Sequence, residues 1–482
     1  MTELENPLKG QSGPFEHFYE NGQLQAKGYV EDGERDGPWV EYYENGQVQQ
    51  KSTYEKGKCV GLFEEFYENG QLKSSGTYED GKPDGLWVHY FENGQERERR
   101  SFKIGLMNGE FEEFYESGQL RTKAIYESGR TKGTVFQYFP NGQLSGEGEY
   151  FNQNNEEYWN EKNEGPWIHY HENGQKRSEG EFKNGTPEGP WIHYYEDGTV
   201  QQKCFMKNGL EEGLVEPFHP NGQLAAKLNK INGKIDGFTT YYAPEGHIDG
   251  QFDIEMGRYV GRYLVFYPNG QKKIVGQFKD DEEDGYWETY HPNGEIETKS
   301  QKKHSKNHGF WKLYNDKGNL INEVNYKNGE QHGCDKHYFD NGQLKAECIY
   351  QNGKKEGLVK ELYHNGKVRY QGYFSNDLAN GITKTYFENG QLQGEYIYHN
   401  GAKDGPFKQF YSDGTLQLEG YWSNDVPDGH STRYHENGQL DIQGTTKDGV
   451  WDGDYIQYDV DGKVVIKTTY KDGKDIYSKD GD

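Results

Sequence analysis

The sequence predicts an all-β fold: an elongated, twisted, single-layer antiparallel meander of about nineteen 24-residue β-hairpin repeats, solenoid-like in build. Three observations carry this. A glycine preceded by Asn, Asp, Glu, Lys or Ser marks a fixed register. It falls at Gly22 and every 24 residues to Gly142, then from Gly174 every 24 residues to Gly462. A second glycine sits nine residues before each marker, from Gly13 and Gly37 through to Gly453. Aromatic and β-branched residues flank the marker, and no 3.6-residue period appears, which excludes helix.

One unit, from Gly37, reads GPWVEYYENGQVQQKSTYEKGKCV. Asn-Gly between such residues is the strongest short-range hairpin signal, and both residues can adopt the positive φ of a type I′ turn. The expected strands are Trp39 to Glu44 and Val48 to Tyr54, with EKGKCVG turning the chain into the next hairpin. Alternate residues then face opposite sides of the sheet. The position of Tyr42 is aromatic in eighteen of nineteen repeats, with Leu362 the exception. The position of Val48 is aliphatic in sixteen, with Glu96, Lys176 and Lys272 departing. The position of Ser52 is glycine in eight, among them Gly76 and Gly180, so a ring from a neighbouring strand is expected over that bare backbone.

The single break in period is a step of 32 between Gly142 and Gly174. The organisation read from this is a lead-in over 1–10, six repeats over 11–151, an insertion over 152–164, thirteen repeats over 165–475 and a charged tail over 476–482. A repeat array has no single core to saturate, so 482 residues need not mean several globular domains. Hydrophobic residues are 31% of the chain, but 40 tyrosines bring ring area with a wet hydroxyl, which suits a thin sheet.

The formal net charge of −26 disfavours nucleic acid and adsorption to anionic membranes, and would steer a basic protein partner. It equally serves solubility. Cys59, Cys204, Cys334 and Cys348 form no C-x-x-C pair, so neither a disulfide framework nor a zinc site is expected. Cys204 and Cys348 occupy the Ser52 position and read as small packing residues. MTELENPLKG has no basic n-region or apolar run, and no 18-residue apolar stretch occurs. The expectation is no transmembrane segment and a cytoplasmic location.

The units GPWVEYYENGQVQQKSTYEKG (Gly37 to Gly57) and GLWVHYFENGQ (Gly85 to Gln95) resemble the MORN repeat in its bacterial variant form, with consensus near G-x-W-x-x-Y-Y-x-N-G-x-L-x-x-x-x-x-Y-x-x-G. The resemblance covers residues 11 to 475. The third glycine of the consensus is replaced by Asp281, Ser305, Asp377 and Asp425, so some repeats drift, and the aromatic after the first becomes Asp335, Thr383 and Ser431, a change that loosens the C-terminal half. The resemblance implies rows of β-hairpins. Many bacterial members look like YwqK-like antitoxin or immunity-type proteins, and eukaryotic relatives are linked to membrane association and complex assembly.

Candidate binding residues are few. The insertion carries Glu156, Glu157, Tyr158 and Trp159, an acidic-aromatic knob apt for a protein partner, or a tolerated insertion. Trp39, Trp87, Trp167, Trp191, Trp287 and Trp311 share one position and form either a ladder for sugars or peptides or a packing row. His169 and His171 form H-x-H with His193 one repeat on, a spacing of about 9–10 Å that is too wide for one metal. His304 and His308 read the same way. The acidic turns KDDEEDG (Lys279 to Gly285) and EDGKPDG lack the spacing of calcium loops and read as solvated. ERERR (Glu96 to Arg100) reads as a solvated strand face or a carboxylate contact. No catalytic motif, cofactor site or metal site appears. The reading is a non-enzymatic, protein-binding scaffold, most concretely an antitoxin masking a basic toxin by bulk and charge. The rivals are a cell-wall or surface glycan-binding array and a peripheral membrane organiser.

Overall fold

The computed structural model describes residues 8–151 and 162–477. Among them there is strand, turn and no helix. By packing the chain divides into two units, Met1–Gly246 and His247–Asp482. In the first, Gly13–Phe18 pairs antiparallel with Leu24–Glu31, which pairs onward with Gly37–Tyr42, and so on to Gly237–Tyr242. The second repeats this meander from Ile248–Glu255 to Val464–Lys471. Within each unit, the substantial packing joins pieces that are neighbours along the meander. Each is therefore a single antiparallel layer, as the repeat demands.

Forty-seven strands are present among the described residues, of which nine are two-residue pieces such as Glu34–Arg35. The remaining thirty-eight are two per repeat. Eight of the short pieces are cut off at a bulge, where the first glycine of the repeat turns to positive φ, as Gly37 does at 82°. The ninth, Lys474–Asp475, ends the array.

The type I′ turn of the repeat does not lie at the Asn-Gly marker where it is expected. At the marker, the Gly46 N–H donates to the Tyr43 carbonyl at 2.9 Å and the Tyr43 N–H to the Gln47 carbonyl at 2.8 Å. Gly46 has φ 83°, whereas Asn45 is not among the residues with positive φ. This is a three-residue loop, a type I turn closed by a glycine bulge, and not the type I′ turn expected there. The first strand consequently ends at Tyr42. The type I′ turn lies at the other junction, where Lys56 and Gly57 have φ 48° and 75° between the paired residues Glu55 and Lys58.

The physical reason is visible in Asn45. Its Oδ1 accepts the Gln47 N–H at 2.9 Å and its Nδ2 donates to the Glu68 carbonyl of the next repeat at 3.0 Å. The asparagine fastens one turn to the next.

Register places Trp39 opposite Ser52 and Glu41 opposite Gln50 on one face, and Val40 opposite Lys51 on the other. On the first face lies the core. Trp39, Trp87, Trp167, Trp191 and Trp287 are 1–8% exposed, joined by Val135 and Val215 in the same position. The ring-over-glycine expectation holds. A Cβ on Gly28, Gly76, Gly148 or Gly180 would meet a tryptophan ring atom of the adjoining strand at 2.2–2.3 Å. The missing side chain is the space the indole occupies.

Candidate interaction surface

Both turn edges are tied from repeat to repeat by polar side chains. At the marker edge, the residue after the Tyr42 position reaches the next repeat. Tyr43 Oη donates to the Phe66 carbonyl at 2.7 Å, Tyr67 to Tyr90 at 2.7 Å and Tyr195 to Phe218 at 2.8 Å. His171, His219, His291 and His435 use Nε2 in the same way. At the I′ edge, carboxylates accept the first turn N–H of the following repeat: Asp36 from Lys56, Asp84 from Ile104, Glu188 from Asn208. An orphan amide is expensive to leave unpaired. Much of the acidity of the turns thus serves the array itself.

The four replacements of the third glycine belong to this edge. Asp281, Ser305, Asp377 and Asp425 hold positive φ of 59–71°. Each accepts a backbone N–H from the preceding repeat with its side chain, as in Asp377 Oδ1 from Lys355 N at 2.7 Å and Asp425 Oδ1 from Lys403 N at 2.8 Å. The added bond offsets the strain of a Cβ in that region. Sequence reasoning read these as drift. The recurring signal was Asp at an αL position, a residue that tolerates it.

The structure commits the predicted tryptophans to the interior. Trp39, Trp87, Trp167 and Trp191 are buried, and Trp87, Trp167 and Trp191 donate their indole N–H to the carbonyls of Thr77, Glu149 and Glu181. Their rings rest on glycines and on each other's neighbours, so they offer no open face to a sugar. Glu156, Glu157, Tyr158 and Trp159 lie outside the described residues.

The histidines separate. His169, next to last in its strand, stacks on Trp167 with ring centres 5.7 Å apart, and His193 stacks on Trp191 at 6.0 Å. His171 is past the strand end, in the turn ladder, so the pair does not share a strand face. Burial pushes the imidazoles of His169 and His193 below their ordinary range. His304 meets Glu282 at 2.7 Å, and His308 takes the turn-capping place that a carboxylate fills elsewhere. Among the described residues no three His, Cys, Asp or Glu side chains gather as a metal site. Burial raises the thiol pKa of all four cysteines, that of Cys348 to about 11.

ERERR departs from the solvated face expected. Glu98 is buried, and Arg100 holds it at 2.6 Å on the core face beside Trp87. Only its alternate residues, Arg97 and Arg99, point outward. The arginine stands where other repeats have glycine or serine, and brings the carboxylate in with it.

The opposite face is open. Its Tyr42 row is half-buried. Several of those hydroxyls donate to glutamates, Tyr170 to Glu147 at 2.6 Å and Tyr290 to Glu288 at 2.5 Å. Burial, then these carboxylates, pushes both phenols up to about 12. Beside this row runs a line of charges that changes order along the chain. In the first unit Glu64 and Glu112 stand on the first strand of their hairpins and their cationic partners on second strands, as in Lys51–Glu64 at 3.6 Å and Lys123–Glu112 at 3.0 Å. From Lys312 onward the lysine stands on the first strand and the glutamate on the second, as in Lys312–Glu323 at 3.2 Å and Lys384–Glu395 at 2.9 Å. The exposed large apolar residues of this face, Leu62, Leu86, Leu214, Tyr286, Leu358 and Ile382 among them, stand next to that line.

Fifteen segments of the chain match the repeat described as MORN repeat variant: residues 11–32, 35–56, 60–80, 107–128, 132–152, 163–184, 187–208, 259–280, 283–301, 307–328, 331–352, 355–376, 379–400, 403–424 and 427–448. Together they take in more than half of the chain. The chain belongs to the MORN repeat variant family. The repeats around Gly94, Gly222, Gly246 and Gly462 escape the match, yet each of these glycines makes the same turn, with φ of 81–91°. No curated protein matches the chain. Among solved structures it is similar to the crystal structure of TcdB2-TccC3-TEV, at 11% identity and a TM-score of 0.14, over 95% of this chain and 25% of that one. It is likewise similar to that of TcdB2-TccC3, at 11% identity and a TM-score of 0.13, over 98% and 32%. The chain therefore spans a quarter to a third of those longer chains.

Proposed function

We propose that this MORN repeat protein is a non-enzymatic scaffold that binds another protein through the open face of its sheet. The observation that carries this is the asymmetry of the two faces. One is closed by rings over glycines, whereas the other keeps large apolar side chains in solvent beside paired charges. Exposed apolar rows of this kind mark contact surfaces. The finer form is an antitoxin or immunity-type protein covering the working surface of a basic toxin. It draws on the family and on the net charge of −26, which speeds encounter with a cation-rich partner. The protonated, burial-raised thiols suit a reducing cytoplasm.

The test is a tagged full-length chain exposed to host cytosol at low salt and eluted by a salt gradient. A stoichiometric basic protein should elute as salt rises, and its toxicity in cells should fall when this chain is co-expressed. A partner whose activity is untouched by the chain overturns the masking role. The absence of any stoichiometric protein overturns the scaffold reading.

A further inference from the structure

Two positions of each repeat meet at the bulge end of the open face: the residue after the first glycine, and its cross-strand partner seven residues after the marker. In the first unit these rungs are broken by polar residues. Leu62 pairs with Thr77, Leu86 with Ser101 and Pro166 with Glu181. Over four consecutive repeats of the second unit, between the rungs Phe310–Asn325 and His430–Thr445, they are apolar throughout. Cys334 pairs with Ile349, Leu358 with Tyr373, Ile382 with Ile397 and Pro406 with Tyr421. Ile349, Leu358, Tyr373, Ile382 and Tyr421 are 38–52% exposed. The stripe crosses the strands and ends in an open groove of about 420 Å³ lined by Pro406, Tyr421 and His430. From Ile349 to Tyr421 it passes seven strands, about 29 Å at one strand spacing per step.

Its two borders differ in charge. On the inner side the lysines and glutamates neutralise one another, as in Lys384–Glu395 at 2.9 Å and Lys408–Glu419 at 3.6 Å. On the turn side stand Glu356, Asp404 and Asp428. Their backbone N–H groups donate to Ile349, Ile397 and Tyr421, which sets each acid opposite an apolar rung on the same face. The nearby lysines do not balance them. Lys355 lies over the Phe374 ring and Lys403 over Tyr396 and Trp422, on the core face.

We infer that this stripe is the docking surface for a basic amphipathic helix of a partner protein. An edge-added strand would run along the strands, whereas the stripe runs across them. A helix of about 19 residues covers about 29 Å. Its turn of about 5.4 Å lies close to the rung spacing of about 4.8 Å, nearer than the ~6.8 Å between same-face residues of a strand. Its apolar side chains fill the stripe, and lysines along one flank meet the acidic border. A second copy of the chain would bring acid against acid.

The inference rests on the scaffold reading but is tested without a native partner. The probe is a fluorescent 19-residue peptide with Leu at i, i+3, i+4 and i+7 and Lys on one flank, titrated against the full chain by anisotropy at low salt. Saturable one-to-one binding is expected. Tyr373→Ser with Ile382→Ser should weaken it about tenfold or more. Both residues are exposed, so an unchanged circular dichroism spectrum should accompany the loss. Leu86→Ser, in the broken row, should leave binding unaltered. Equal binding of the same peptide with Glu for Lys, or binding insensitive to the Tyr373/Ile382 pair, overturns the inference. So does self-association in sedimentation that the pair abolishes, or adsorption of the chain to lipid vesicles that depends on the pair. A captured partner whose activity the chain leaves untouched, with this binding intact, would reject the masking role and leave the helix site standing.

Discussion

The hairpin around Trp167 and the hairpin around Thr383 fill the same volume with opposite assignments. Trp167 stands between Gly148 and Gly180 on the strands either side, and its indole lies where a Cβ on Gly148 would be, at 2.2 Å. Thr383 stands between Gly372 and Tyr396, and the rings come from the flanking strands instead. Tyr370 Oη lies 2.7 Å from the Cβ position of Gly372, and the Tyr396 ring 2.8 Å from that of Gly394. Both central residues are nearly sealed, Trp167 at 1% and Thr383 at 3% exposed. What the fold holds constant is the filled volume across three strands, and not the residue that fills it. The replacement that looked like loosening is a relocation of the ring.

The largest expected effect comes from emptying the row where one residue carries it. Trp167→Ala should cost about 3–5 kcal/mol, since the glycines on both sides cannot collapse into the void. Each repeat contacts mainly its neighbours, so the loss should stay local. Hydrogen-exchange mass spectrometry should show lowered protection in Leu144–Phe151, Lys162–Tyr170 and Lys176–Lys183, with Gly405–Phe410 unchanged. An even loss across both units would mean that the array folds as one body and that the comparison of single hairpins is empty.

The next effect tests the exchange itself. Thr383→Trp alone should destabilise by about 1–3 kcal/mol through overpacking against Tyr370 and Tyr396. Thr383→Trp with Tyr396→Gly restores the Trp167 arrangement on that side and should recover most of the loss. In a denaturant titration the two changes must therefore be strongly non-additive. A double variant as unstable as the sum of its parts would reject volume exchange as the organising rule.

The sequence made the periodic part of this legible. A two-residue alternation, a glycine register and an aromatic position are local signals, so the hairpins, the buried tryptophans over Gly76 and Gly180 and the strand count follow from them. What stayed hidden depends on which atoms of consecutive repeats come to lie together. Asn45 could have served a I′ turn by its backbone, and only the place of the Glu68 carbonyl shows that its side chain is needed elsewhere. The same holds for Asp377 and Asp425, where a substitution for glycine gains a bond from the repeat before. Glu98 looked solvated because its burial depends on Arg100 two residues away and on Trp87 across the hairpin. The open face was legible as a set of positions. Its continuous stripe emerges only when the bulge register sets Leu358 beside Tyr373.

The smallest effect separates the two regions by pH. In the first unit His89, His169 and His193 stack on Trp87, Trp167 and Trp191. Burial is the main cause that holds all three below the ordinary imidazole value of 6.5. Beside Trp287 and Trp311 the same position holds Thr289 and Leu313, which do not titrate. A histidine whose folded pKa is depressed binds its proton more readily unfolded. Its contribution to stability is complete above 6.5 and is lost as pH falls through the lower folded value. Hydrogen exchange compared at about pH 7.5 and about pH 5.5 should therefore show Lys162–Tyr170 and Thr186–Tyr194 weakening more than Gly285–Tyr290. His169→Gln with His193→Gln should flatten that difference. If the substituted chain keeps the same pH slope in those two strands, the acid sensitivity lies in the carboxylates of the turn edges, and the histidine–tryptophan stacks carry none of it.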